Sequence, residues 1–80
     1  MTREEIFNEV KAIIVEELGQ KEDNVTLESN LETDFGADSL DAIELVCSLE
    51  DKFGIKIPDE EAMALRTVKQ LVDFVEEHQN

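Results

Sequence analysis

Ile6, Phe7, Val10, Ile13, Ile14 and Leu18 recur at the three- and four-residue spacing that places side chains on one face of an α-helix. Thr2 and Glu5 form a capping box at its start, and Gly19 stands where a left-handed residue closes a helix. Winding residues 39–53 at ~100° per residue gathers Ala42, Leu45, Val46, Leu49 and Phe53 onto a core face that ends at Gly54. A last run opens with a capping box of Thr67 and Gln70 and turns Val68, Leu71, Val72 and Val75 inward, with Phe74 facing the core or its edge. Before it, Pro58 and Asp59 start a short helix predicted over 59–64. Ile55-Lys56-Ile57 alternates like a strand, but three residues without a partner strand make no sheet. The pattern predicts an all-α fold: a small four-helix bundle of three longer helices and one short third helix.

Between the first two helices, residues 20–37 exceed the usual length of a connection. Val25, Leu27, Leu31 and Phe35 punctuate this stretch with apolar anchors. It reads as a long ordered loop folded over the bundle, with a short helical turn near 29–33. Repeats and low-complexity tracts are absent, so the chain reads as one domain over 1–80 with a small core.

The second helix carries more than a core face. Asp38 is placed as its N-cap, Asp41 completes the box, and Ser39 becomes the first helical residue. Gly36 lets the chain turn into the cap, and small Ala37 is expected to leave the approach open. At such a helix mouth, free N–H groups and the dipole favour a phosphate. Leu40, Ile43 and Cys47 form a second apolar stripe on the side of Ser39, rimmed by Glu44, Glu50 and Asp51. A helix that serves only the core needs one stripe. The second suggests a docking surface for a basic partner.

Charge sharpens that picture. Seven Lys and Arg against 21 Asp and Glu give a formal net charge of −14. Nucleic acid is excluded as a natural partner, and stable association with anionic membranes is disfavoured. Basic protein surfaces are what such a charge steers toward. One cysteine permits no internal disulfide, which points to a reducing, cytoplasmic setting. Neither a leader nor a transmembrane run is evident, and Met1 leads directly into a capped helix.

Enzyme chemistry fails on inventory, and no catalytic residue is assigned. His78 is the single histidine, remote in sequence from Cys47 and Ser39, so neither nucleophile has an evident base. Cys47 reads as a half-buried small hydrophobe among acids. Ser48 falls on the polar side of its helix and Ser29 in the loop. The acid pairs lack calcium-loop spacing, so no metal site is expected.

Asp34-Phe-Gly-Ala-Asp-Ser-Leu-Asp-Ala-Ile-Glu-Leu-Val46, followed by Glu50-Asp-Lys-Phe-Gly-Ile-Lys-Ile-Pro-Asp-Glu-Glu-Ala62, resembles the acyl carrier proteins of bacterial type II fatty acid synthesis. The resemblance spans essentially the whole chain. It implies that Ser39, flanked by Asp38 and Leu40, carries 4′-phosphopantetheine delivered from coenzyme A by a phosphopantetheinyl transferase (a holo-carrier synthase). Acyl chains then travel as thioesters between fatty acid synthesis enzymes with basic docking surfaces. The implied docking face comprises Asp41, Ile43, Glu44, Cys47, Glu50 and Asp51. By helical phase and by the resemblance, Val46, Leu49, Ile57, Ala62 and Leu65 line a crevice for the acyl chain. The expected carrier is a monomer. Alternatives are a D-alanyl carrier, which usually has Asp-Ser-Met where this chain has Leu40, a less acidic peptidyl carrier, or an acidic helical adaptor without a covalent cofactor.

Overall fold

The computed structural model describes residues 1–79. Helix α1 spans Arg3–Leu18, α2 Ser39–Phe53, α3 Asp59–Ala62 and α4 Val68–His78, with a 3₁₀ turn at Glu22–Asn24. Among the described residues the only β-type pairing is an isolated bridge between Asn30 and Thr67, so the predicted all-α bundle stands.

Each long helix begins with a reciprocal exchange of side chain and backbone. Thr2 Oγ1 accepts from Glu5 N–H at 3.2 Å, and Glu5 Oε1 accepts from Thr2 N–H at 2.7 Å. That bond holds the Glu5 carboxyl below the ordinary carboxylate range. Thr67 and Gln70 repeat the exchange at α4, with bonds of 3.2 and 3.0 Å.

The core is assembled around α1, which packs against both α2 and α4. Ile6, Val10 and Ile14 meet Leu45 and Leu49 of α2 and Val68, Leu71, Val72, Phe74 and Val75 of α4. Phe74 thus belongs to the core, and its ring stacks on His78 with centroids 4.0 Å apart. The buried face of α2 is narrower than its winding suggests. Only Leu45 and Leu49 are buried, while Ala42, Val46 and Phe53 stay half-buried. The one-turn α3 is too short to cover a full stripe.

The long loop is anchored as expected, with Val25 and Leu31 buried and Leu27 and Phe35 packed partly against the core. Its backbone also completes α4. Ser29 and Leu27 carbonyls accept from Val68 and Lys69 N–H at 3.1 and 2.9 Å, groups that have no partner within the helix itself. Leu31 N–H in return donates to Arg66 O at 2.8 Å. The helical turn expected near 29–33 is present as a turn over 31–35, with Asp34 and Gly36 N–H donating four residues back to Asn30 O and Glu32 O at 2.9 Å each, and the 3₁₀ turn at Glu22–Asn24 lies earlier than any the pattern suggests. Helix α3 stops at Ala62 rather than at 64. Past it the chain tightens, with Ala64 and Leu65 N–H donating three residues back to Glu61 and Ala62.

Among the described residues, four ion pairs all involve α1 and tie it to its neighbours. Arg3 meets Asp73 and Glu76 of α4 at 2.8 and 3.0 Å, Lys52 of α2 meets Glu9 at 3.1 Å, and Lys11 meets Glu22 at 3.9 Å. Such exposed pairs are individually weak. They leave the whole net charge of −14 on a small surface. Salt or millimolar divalent cations should therefore raise Tm by screening. A calorimetric Tm indifferent to both would show that self-repulsion does not limit stability.

Candidate functional site

The site is built at the point where the long loop hands the chain to α2. Gly36 adopts φ 69°, a left-handed turn that a side chain would resist, and its N–H donates to Glu32 O at 2.9 Å. Ala37 follows with its N–H on Leu31 O at 3.0 Å. Its side chain is buried in the core. The expectation that Ala37 merely leaves room is therefore corrected: it is a peg that fixes the loop just before the cap.

Asp38 and Asp41 then exchange bonds. Asp38 Oδ1 accepts from Asp41 N–H at 2.9 Å and Asp41 Oδ2 accepts from Asp38 N–H at 3.2 Å. Both carboxylates are thereby engaged with backbone, and Ser39 is left as the exposed first residue of α2. Among the described residues the N–H groups of Ser39 and Leu40 have no hydrogen-bond partner, unlike their counterparts on α4. No atom lies within 4 Å of the space where a Gly36 side chain would project. An exposed hydroxyl beside two free N–H donors and open space fits a phosphodiester linkage. The chain's one imidazole, His78, is in the last turn of α4 with Nδ1 2.9 Å from Phe74 O.

The other serines are occupied. Ser29 is buried, its Oγ accepting from Thr26 N–H at 3.0 Å and donating to Asn24 O at 3.2 Å, which knots the loop. Ser48 faces α1 rather than open solvent, its Oγ donating to Glu17 Oε1 at 2.7 Å.

Below Ser39 the second stripe is real. Leu40 and Ile43 are 62% and 60% exposed, among the most exposed large hydrophobic side chains of the molecule. Cys47 continues the stripe and is exposed rather than half-buried as expected. Glu44 and Asp51 are exposed and make no ion pair among the described residues. Glu50 differs from them. Its Oε2 accepts from Ile57 N–H at 2.8 Å, a tie across seven residues that side-chain periodicity does not disclose.

Val46, Leu49, Ile57, Ala62 and Leu65 are brought into one apolar cluster. Leu49 and Ile57 are buried, and Val46, Ala62 and Leu65 are partly buried and packed against the core they belong to. Two surface clefts lie elsewhere. One, of about 400 Å³, is lined by loop residues including Ser29 and Phe35, and the other, of about 310 Å³, lies between α1 and α2 beside Ser48. Among the described residues no group of three or more His, Cys, Asp or Glu is arranged to hold a metal ion. No described helix is long and apolar enough to cross a membrane.

The profile of the phosphopantetheine attachment site family matches residues 8–75. Acyl carrier protein of Lactobacillus johnsonii is 45% identical over 80 residues, covering 100% of both chains. Acyl carrier protein of Rubrobacter xylanophilus is 48% identical over 79 residues, covering 99% of this chain and 98% of that one. Among solved structures, acyl carrier protein from Enterococcus faecalis is similar at a TM-score of 0.84 and 39% identity, covering 99% of this chain and 100% of that one.

Proposed function

Because the chain belongs to the acyl carrier protein family and has its helical fold, with a 4′-phosphopantetheine group and a role in carrying acyl chains, we propose that Ser39 is the attachment residue. The observation that carries the assignment is the cap geometry: Ser39 is the exposed hydroxyl at the mouth of α2, while Ser29 and Ser48 are engaged within the fold. The group supplies a terminal thiol that bears the acyl chain as a thioester. Ser39 Oγ would bond to the phosphorus of the phosphopantetheine arm, the pyrophosphate bond of coenzyme A would break to release adenosine 3′,5′-bisphosphate, and the hydroxyl proton would pass to a base of a phosphopantetheinyl transferase. The free N–H groups of Ser39 and Leu40 would hold the phosphate, and Asp38, as the cap, fixes the turn that presents Ser39. A carrier supplies a substrate to enzymes and does not itself transform it. Ser39→Ala should keep the fold and gain no mass on incubation with transferase and coenzyme A. Mass spectrometry showing one added phosphopantetheine on that variant would overturn the assignment.

The partners of this reading are fatty acid synthesis enzymes that present basic surfaces, and the transferase is one further basic partner. The docking face is α2 from Asp41 to Asp51: Ile43 and Cys47 supply apolar contact, and Glu44 and Asp51 supply charge that no internal cation neutralises. Tethering raises the effective concentration of the acyl group at whichever enzyme docks, and weak docking lets the carrier leave. One carrier domain over 1–80, monomeric and working in the reducing cytoplasm, fits the single cysteine. Glu44→Lys should slow association with a partner enzyme, and salt should slow the wild type likewise. Ile43→Ala should weaken the complex through lost apolar contact. Association rates of Glu44→Lys and wild type that coincide at low ionic strength would place the interface elsewhere.

The apolar cluster between α2 and α3 is the shelter for the chain. Burying each methylene there is worth ~0.8 kcal/mol. Room for a guest must come from α3, which is a single turn with no side-chain cap and is cheaply displaced. A medium-length acyl chain should raise Tm above that of the unacylated protein. It should also shift NMR signals of Leu49, Ile57 and Leu65 more than those of α1. Identical melting curves with unmoved signals at those residues would leave the chain outside.

A further inference from the structure

The end of α1 is charged against its own interest. Its last turn carries Glu16 and Glu17 and no basic residue, so two carboxylates stand at the negative end of the helix dipole. Both are exposed, and neither makes an ion pair among the described residues. The pairs that α1 does make come from Arg3, Glu9 and Lys11, further back along the helix.

These two acids form one wall of the cleft of about 310 Å³ between α1 and α2, lined also by Ile13, Ser48, Asp51 and Lys52. Ile13 is half-buried and gives the cleft an apolar surface. Ser48 Oγ donates to Glu17 Oε1 at 2.7 Å, which holds that carboxylate toward α2. Lys52, the one cation of the lining, is drawn away to Glu9 at 3.1 Å. Helical phase joins this cleft to the exposed stripe. At about 100° per residue, Asp51 and Glu44 lie about 40° and 60° round α2 from Cys47, toward the side where Ser48 meets α1. Glu50 lies about 60° round the other way. Asp51 thus belongs to the rim of the stripe and to the cleft at once. Acids from two helices then run between the exposed Ile43 on one side and Ile13 on the other.

A lysine or arginine side chain has the matching form, with an aliphatic stem to lie on Ile13 and a cationic head for Glu16, Glu17 and Asp51. Such a cation also offsets the unfavourable placement of the two glutamates at the helix end. We propose that this cleft seats an arginine or lysine of a fatty acid synthesis enzyme docked on α2, so that the docking face crosses onto the end of α1. The seat depends on α2 being the docking face and adds a second point to it. A stripe on one helix leaves a partner free to rotate about the helix axis, whereas a second point on α1 fixes that rotation and with it the aim of Ser39.

Methyl NMR and stopped-flow association test the seat, on full-length protein with Ser39→Ala so that a transferase binds without modifying it. A phosphopantetheinyl transferase and a chain-condensing enzyme are added separately. With at least one of them, Ile13 methyl signals should shift together with those of Ile43. Adding Glu16→Gln and Glu17→Gln keeps an acceptor for Ser48 and should leave Tm unchanged or higher. It should slow association with that enzyme about 2–5-fold relative to Glu28→Gln with Glu77→Gln, which removes two exposed charges outside the cleft. Ile43 signals that move while Ile13 stays still with both enzymes would overturn the seat and leave docking on α2 standing. Equal association rates for the two double variants would do the same. Ile13 and Ile43 signals that both stay unmoved would remove the docking face itself, and the seat with it.

Discussion

The exchange of hydrogen bonds between Asp38 and Asp41 is the constraint on which the functional end of the molecule depends. It fixes where α2 begins, and so makes Ser39 the first residue of the helix rather than a member of its interior. It also ties both carboxylates to backbone N–H groups, beside the position proposed to receive a phosphate. The cap is held in turn by the loop before it: Gly36 turns the chain, and Ala37 is pinned in the core with its N–H on Leu31. A loop that supplies acceptors to α4 at one end and a rigid approach to α2 at the other explains why so long a connection is ordered.

Charge is distributed with the same economy. The cations that make ion pairs all serve α1: Arg3 toward α4, Lys52 from α2, and Lys11 toward the 3₁₀ turn. On the outward face of α2, Glu44 and Asp51 make no ion pair among the described residues, next to the exposed Leu40 and Ile43. An apolar stripe in an acidic field is suited to brief, steered encounters with basic surfaces, since electrostatics speeds approach while a small contact area limits residence. The fold accepts self-repulsion in exchange.

Most of this architecture was legible in the sequence because it is written in local signals. Three capping boxes, glycine stops and helical periodicity placed α1, α2 and α4, and Asp38-Ser39-Leu40 with its following helix placed the candidate site. What escaped depends on tertiary partners. Ala37 looks like a spacer until the core closes over it, and Cys47 looks half-buried but is exposed. Glu50 reads as one more surface acid, because nothing in helical phase says that its side chain reaches the backbone of Ile57. The extent of α3 escaped for a related reason: a single turn without a cap is decided by its neighbours rather than by its own residues.

The central claim is that one hydroxyl, presented by the cap of α2, bears the acyl-carrying group. Tandem mass spectrometry of the protein purified from its own cells tests it most directly, by locating the phosphopantetheine mass on a single peptide. The account predicts the adduct on Ser39 and on no other residue. An adduct mapped to Ser29 or Ser48, or a protein carrying none under conditions of active fatty acid synthesis, would contradict it.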